Sequence, residues 1–83
     1  MQIPDWLANR DASIVRGPIA LEQYLWIGKR PQYKLTPIPA DGKFTCVVLQ
    51  TNNGKRLDQG ALYATCDDAI RGGLECLRKE LGW

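Results

Sequence analysis

The run Lys43-Phe44-Thr45-Cys46-Val47-Val48-Leu49-Gln50 limits this chain more than any other. With a period of two it is a strand bearing Phe44, Cys46 and Val48 on one side and Thr45, Val47 and Leu49 on the other. A strand apolar on both sides belongs in the middle of a sheet and needs cover on both faces. Asn52-Asn53-Gly54 then supplies a turn, because Asn and Gly tolerate positive φ. The next run, Lys55–Leu62, is broken by Arg56, Asp58 and Gln59; it reads as an exposed edge strand with a bulge at Gly60. Thr65 opens an amphipathic helix with Ile70, Leu74, Leu77 and Leu81 on one face and Cys66 a turn earlier. Thr65 suits the N-cap, Asp68 imitates a capping box, Arg78 and Lys79 suit the C-terminal dipole, and Gly82 the C-cap. Gly72-Gly73 in mid-helix costs about 1 kcal/mol each relative to alanine, which implies a close approach by another part of the chain.

Upstream, residues 1–16 read as an N-terminal extension and residues 17–83 as the domain, with Gly17-Pro18 as the boundary. Pro4 to Asn9 suits one helical turn, and Trp6, Leu7, Ile14 and Val15 are apolar enough to pack on the domain. Ile19–Ile27 is predicted to be helical: Pro18 fits a first turn, and Leu21, Tyr24 and Leu25 recur at three- and four-residue spacing. Gly28 ends that helix, Lys29 and Arg30 lie near its negative end, and Pro31 bars continuation. Gln32–Ile38 is the first strand, with Tyr33 and Leu35 opposite Lys34 and Thr36. Pro37 and Pro39 assign it to an edge, and Asp41-Gly42 makes the hairpin turn. The expected fold class is α+β: α-β-β-β-α, a three-stranded antiparallel sheet with two helices on one face. That arrangement leaves Val47 and Leu49 open unless the extension or a partner covers them.

Composition narrows the chemistry. Eighty-three residues suit one small domain, and a net charge of +2 is too small to argue for nucleic acid alone. No apolar run approaches the roughly 18 residues of a membrane span, and Met1-Gln2-Ile3-Pro4-Asp5 lacks the pattern of a signal peptide, so a cytoplasmic location and no membrane contact are expected. Cys46, Cys66 and Cys76 are an odd number at spacings unlike a zinc module, and read as reduced core or interface residues. The sequence has no histidine, the commonest general base, and its one serine, Ser13, is not at a strand-to-helix elbow. Asp67-Asp68 falls where helix starts favour acids. The expectation is a non-enzyme with no catalytic residues, no metal and no cofactor.

Gly17-Pro18-Ile19-Ala20-Leu21-Glu22-Gln23-Tyr24, Ile27-Gly28-Lys29-Arg30-Pro31-Gln32-Tyr33-Lys34-Leu35, Phe44-Thr45-Cys46-Val47-Val48, Gly60, and Ala69 with Gly72-Gly73 together resemble the double-stranded RNA-binding domain over about residues 17–81. That resemblance implies RNA contacts at the first helix, at the loop between the first two strands and at the start of the last helix. The last of these is normally a lysine cluster; here it reads Cys66-Asp67-Asp68-Ala69-Ile70. The loop is reduced to Pro39-Ala40-Asp41-Gly42, without histidine, leaving Glu22 and Gln23 of the first helix. The chain therefore reads as a divergent, small binding module that engages a protein partner or a second copy through Val47, Leu49 and Leu57. The alternative is structured or double-stranded RNA bound by a non-standard basic surface of Lys29, Arg30, Lys34, Lys43, Lys55 and Arg56, with Trp26 and Tyr33 stacking on unpaired bases.

Overall fold

Phe44, Cys46 and Val48 decide which side of the sheet becomes the core. In the computed structural model, which describes residues 4–18, 21–58 and 60–82, the elements are α1 (Asp5–Ala8), β1 (Ala12–Arg16), β2 (Gln23–Ile27), β3 (Arg30–Ala40), β4 (Lys43–Gln50) and α2 (Cys66–Leu81). The architecture is α+β, but the sheet has four strands, an antiparallel meander in the order β1-β2-β3-β4. Cys46 and Val48 of β4, Tyr33 and Leu35 of β3 and Leu25 of β2 form one buried cluster with Ala69, Ile70, Leu74 and Leu77 of α2. Leu7 of α1 belongs to the same cluster, and the Arg78 guanidinium lies 5.7 Å from the centre of the Trp6 ring, so both helices are on one side of the sheet.

The predicted first helix is absent. Gln23–Ile27 is β2, pairing with Ala12–Arg16 on one side and with residues 30–35 on the other; Ile19 and Ala20, where that helix was to begin, lie outside the described residues. The segment Gln23-Tyr24-Leu25-Trp26-Ile27 is rich in aromatic and branched side chains, and its alternation of Leu25 and Ile27 with Tyr24 and Trp26 wins over the helical spacing. Gly28, at φ 65°, serves the β2–β3 turn instead of ending a helix. The extension becomes structural: β1 extends the sheet, and Leu7 is fully buried. Met1 to Ile3 lie outside the described residues.

β3 is longer than predicted and is internal over its first half. Pro37 and Pro39 are tolerated because β2 ends opposite Leu35. Phe44 and Val48 use their backbone groups on Tyr63, Leu57 and Asp58, so their cross-strand partners Pro39 and Leu35 present their own backbone away from β4. Beyond Leu35 no described strand lies on that side to accept a donor, and β3 becomes the edge the prolines require. Asp41 (φ 51°) and Gly42 (φ 76°) make the two-residue β3–β4 turn.

The predicted strand over Lys55–Leu62 is replaced by an arm that touches β4 at two single bridges, Leu49 with Arg56 and Phe44 with Tyr63. Between them the Asp58 carboxylate takes the place of a backbone carbonyl, accepting from the Val48 N–H at 3.1 Å and from Arg56 Nε at 2.8 Å. Burial alone would raise the Asp58 carboxyl, but these two donors outweigh it and hold it below the usual carboxylate range. A side chain that caps β4 ends the ladder, so the arm leaves the sheet and rejoins it at Tyr63. Gln59 lies outside the described residues.

α2 matches the sequence reading closely. The Thr65 hydroxyl accepts from the Asp68 N–H at 3.0 Å, and Gly82 caps the far end at φ 71°. The two glycines have separate uses. A methyl at Gly72 would collide with the Tyr63 ring, while one at Gly73 would sit 2.6 Å from Cys46 Sγ. Gly72→Ala and Gly73→Ala are therefore each expected to destabilise the fold by about 1–3 kcal/mol through overpacking, outweighing a helix-propensity gain of about 1 kcal/mol. Urea unfolding of the two variants checks this, and a raised midpoint in either would contradict the packing.

Burial pushes the Cys46 thiol up to about 12, with the Asp58 and Cys76 charges adding to the effect. Because the folded value is raised, the stabilisation from keeping this thiol neutral is complete below its ordinary value of 9.0 and is lost as pH climbs from there towards 12. In native protein at about pH 8.5, Cys46 should resist iodoacetamide and become alkylated only after unfolding in urea. Native alkylation at the rate of half-exposed Cys66, read by mass spectrometry, would contradict its burial.

Candidate interaction surface

The alternation that buries Leu25, Leu35 and Val48 also sends a second set of side chains to the other face. One row crosses all four strands, because Val15 pairs with Tyr24, Tyr24 with Lys34 and Lys34 with Leu49. Thr36 opposite Val47 and Ile38 opposite Thr45 continue the face towards the β3–β4 turn, and Trp26 opposite Ser13 continues it the other way. No described element packs over this face. Val15 is 46% exposed and Ile38 38%, whereas Tyr24, Trp26, Val47 and Leu49 are half-buried by their neighbours in the sheet.

One carboxylate is set into the face. Glu22 is buried, with Lys34 Nζ 3.8 Å from its carboxylate. A methyl at Gly17 would lie 2.6 Å from Glu22 Oε1 and 2.9 Å from the Tyr24 ring, so the β1–β2 connection closes over the acid only because residue 17 has no side chain. The Tyr24 phenol is held above its usual range, first by desolvation and then by the adjacent Glu22 charge. The Thr45 hydroxyl is also buried and has no hydrogen-bond partner among the described residues.

Two depressions flank Tyr24. One, of about 400 Å³, is lined by Val15, Arg16, Pro18, Tyr24, Trp26 and Pro31; the other, of about 250 Å³, by Tyr24, Lys34, Leu49, Thr51 and Gly54. Both are open, apolar-to-mixed surfaces that suit docking better than enclosure of a small molecule. Among the described residues, no three His, Cys, Asp or Glu side chains converge as a metal site, and no helix is long and apolar enough to cross a membrane.

The residues singled out in the sequence are only partly brought together. Val47 and Leu49 stand side by side on the uncovered face, and the chain preceding β1 leaves them open because it packs against α2. Leu57 packs against the buried cluster instead. Glu22 and Gln23 point to opposite faces, with Gln23 lining a small cavity beside Ile14, Asp67 and Ile70. Lys34 and Lys43 share the open face, Lys29 and Arg30 lie at the β2–β3 turn, and Lys55 and Arg56 lie on the arm, where Arg56 is held by Asp58. Tyr33, expected to stack on bases, is 7% exposed and belongs to the core; Trp26 is on the open face. Val15 and Tyr24 were missed as surface residues, and the alternation through Gln23–Ile27 was the signal for Tyr24.

No protein-family description, curated protein or solved structure matches this chain. Its element order departs from that of the double-stranded RNA-binding domain at the first element, where a β-hairpin stands in place of a helix.

If Gly17 is small to make room for the acid, Gly17→Ala should displace the Glu22 side chain and break its pairing with Lys34. A Tyr24 phenol titrating at lower pH in the variant, followed by absorbance at about 295 nm, is the expected result. An unchanged titration would show that the acid does not act on Tyr24.

Proposed function

We propose that this chain is a small, non-catalytic binding module whose docking surface is the uncovered face of its sheet, and that the surface serves protein association. The observation that carries the reading is the row Val15, Tyr24, Lys34 and Leu49 with neighbouring Val47: apolar and aromatic side chains continuous across four strands, with helices on the opposite side only. Sheet faces of this kind are covered by a second layer in folded domains, and exposed apolar patches of this extent mark interaction sites. Aromatic side chains within an exposed patch, here Tyr24 and Trp26, follow the anatomy of protein interfaces.

Nucleic acid is the second reading, favoured by Trp26 and Tyr24 beside Arg16 and Lys34. It is weaker because Lys34, the cation at the centre of the face, already faces the buried Glu22 carboxylate. Neither reading rests on the resemblance to the double-stranded RNA-binding domain, and a cytoplasmic location remains part of the proposal.

A photocrosslinking residue placed at Leu49 should give a discrete protein adduct in cells, whereas the same residue at exposed Glu75 on α2 should not. Labelled single- and double-stranded RNA, titrated at about 50 and 200 mM salt, should bind no tighter than millimolar. Micromolar binding that weakens with salt would overturn the protein reading in favour of nucleic acid.

A further inference from the structure

The two edges of the sheet are finished differently. At the β4 edge the arm bridges to Leu49 and Phe44, and the Asp58 carboxylate takes the Val48 N–H. The β1 edge has no strand beside it among the described residues. Two bonds at the ends of β1 fix which of its backbone groups face outwards. The Gly17 N–H donates to the Glu22 carbonyl and the Gly28 N–H to the Asp11 carbonyl, so Ser13 and Val15 between them also bond to β2. Ala12, Ile14 and Arg16 are the alternate set, and they turn their N–H and C=O groups away from β2. None of those groups has a hydrogen-bond partner among the described residues.

Sheet edges are normally blunted by proline, by lysine, by a bulge or by a covering segment. Ala12-Ser13-Ile14-Val15-Arg16 contains neither proline nor lysine, and its register with β2 is unbroken. The long helix gives it little cover, because α2 packs on β3 and β4. Ile14 shares the core side with its cross-strand partner Leu25 but is only half-buried. Beside it lies a cavity of about 130 Å³, lined by Ile14, Gln23, Asp67 and Ile70. The core thus reaches the β1 edge unfinished, with an apolar side chain and a gap at its border.

Self-complementarity selects the occupant. An antiparallel neighbour must bring its own outward groups opposite these three residues, and a second β1 does so about a two-fold axis at Ile14. Ile14 then pairs with Ile14 of the second copy, and Ala12 with Arg16, so every outward N–H and C=O is satisfied. The adjacent registers are worse. A shift of two residues one way sets Arg16 opposite Arg10, and the other way sets Ala12 opposite Pro18, which has no N–H. In the favoured register small Ala12 leaves room for the long Arg16 at both ends. The two Ile14 residues meet with Cα atoms about 5.5 Å apart, beside the gap in each core.

We propose that this chain forms a two-fold dimer by antiparallel pairing of its β1 edges, which joins the two four-stranded sheets into one. On the reverse side Val15 stands opposite Ser13 of the second copy, so the two uncovered faces run on from each other and stay open. The pairing makes no use of that face and does not depend on its reading as a docking surface.

The interface is narrow and the dimer correspondingly weak, so the test compares the whole protein at about 0.05 and 0.5 mM. Light scattering should show a mass approaching that of two chains at the higher concentration. Amide exchange followed by NMR should slow about threefold at Ala12, Ile14 and Arg16 over the same step, as mass action predicts for exchange through the free monomer. Ser13 and Val15, bonded to β2, should not change. Arg16→Pro removes one outward donor from an exposed position and leaves the bonds to β2 in place; it should weaken the dimer about tenfold. Leu49→Asp, on the uncovered face, should leave the dimer intact.

A monomer at both concentrations would overturn the proposal. So would a dimer in which the three outward amides exchange equally fast at both, or one that a folded Arg16→Pro variant leaves unweakened. If Leu49→Asp dissolves such a dimer, the second copy sits on the uncovered face instead, and the docking reading stands without this one. The exchange measurement uses the unmodified protein, so it decides the matter even if Arg16→Pro does not fold.

Discussion

One-sided burial governs the rest of this structure. The long helix α2 packs on a four-stranded sheet, and it can approach closely because Gly72 and Gly73 leave room for the Tyr63 ring and for Cys46 Sγ. Through Tyr63 the same helix fixes the end of the arm, and the arm in turn supplies Asp58 to the Val48 N–H. Leu7 and Trp6 join on that side, so the first elements of the chain thicken the existing core instead of starting another layer. The apolar side chains on the reverse of the strands are left without cover from any described element.

That asymmetry links the fold to the proposed function. β4 carries apolar residues on both sides, as internal strands covered twice do, yet only one of its sides is covered within the described residues. The sequence of β4 carries apolar residues enough for a second layer that no described element supplies. Glu22 contributes by pairing with Lys34 in the middle of the face, which leaves Lys43 as the unpaired cation on it among the described residues.

Much of this was legible without coordinates, and the exceptions have physical causes. The helix Cys66–Leu81 with both caps, the strand Lys43–Gln50 and the Asp41-Gly42 turn follow from strong local signals, each with one backbone solution. The segment Gln23–Ile27 fits two periods at once, and the choice between them was made by pairing with Ala12–Arg16, a contact that no local rule reveals. Pro18 and Gly28 misled because both serve hairpins as readily as helix ends. The arm failed as a strand because Asp58 bonds to β4 through its side chain, a substitution invisible to propensity. Of the candidate site, Val47 and Leu49 were legible from alternation alone, whereas Val15 and Tyr24 required the four-strand order. Leu57 was misplaced because Arg56 stands opposite Leu49, which puts Leu57 on the core side with Val48.

The account turns on which aromatic rings of the free protein meet solvent, since a strand at Gln23–Ile27 and a helix there expose different ones. Photochemically induced nuclear polarisation, which marks solvent-accessible tyrosine and tryptophan rings by NMR, reads this in one sample. The account predicts enhanced signals from Tyr24 and Trp26 on the uncovered face and none from Tyr33 beneath α2. Silent Tyr24 and Trp26 rings with a polarised Tyr33 would mean that the opposite face is the open one, and would contradict both the sheet described above and the docking surface built on it.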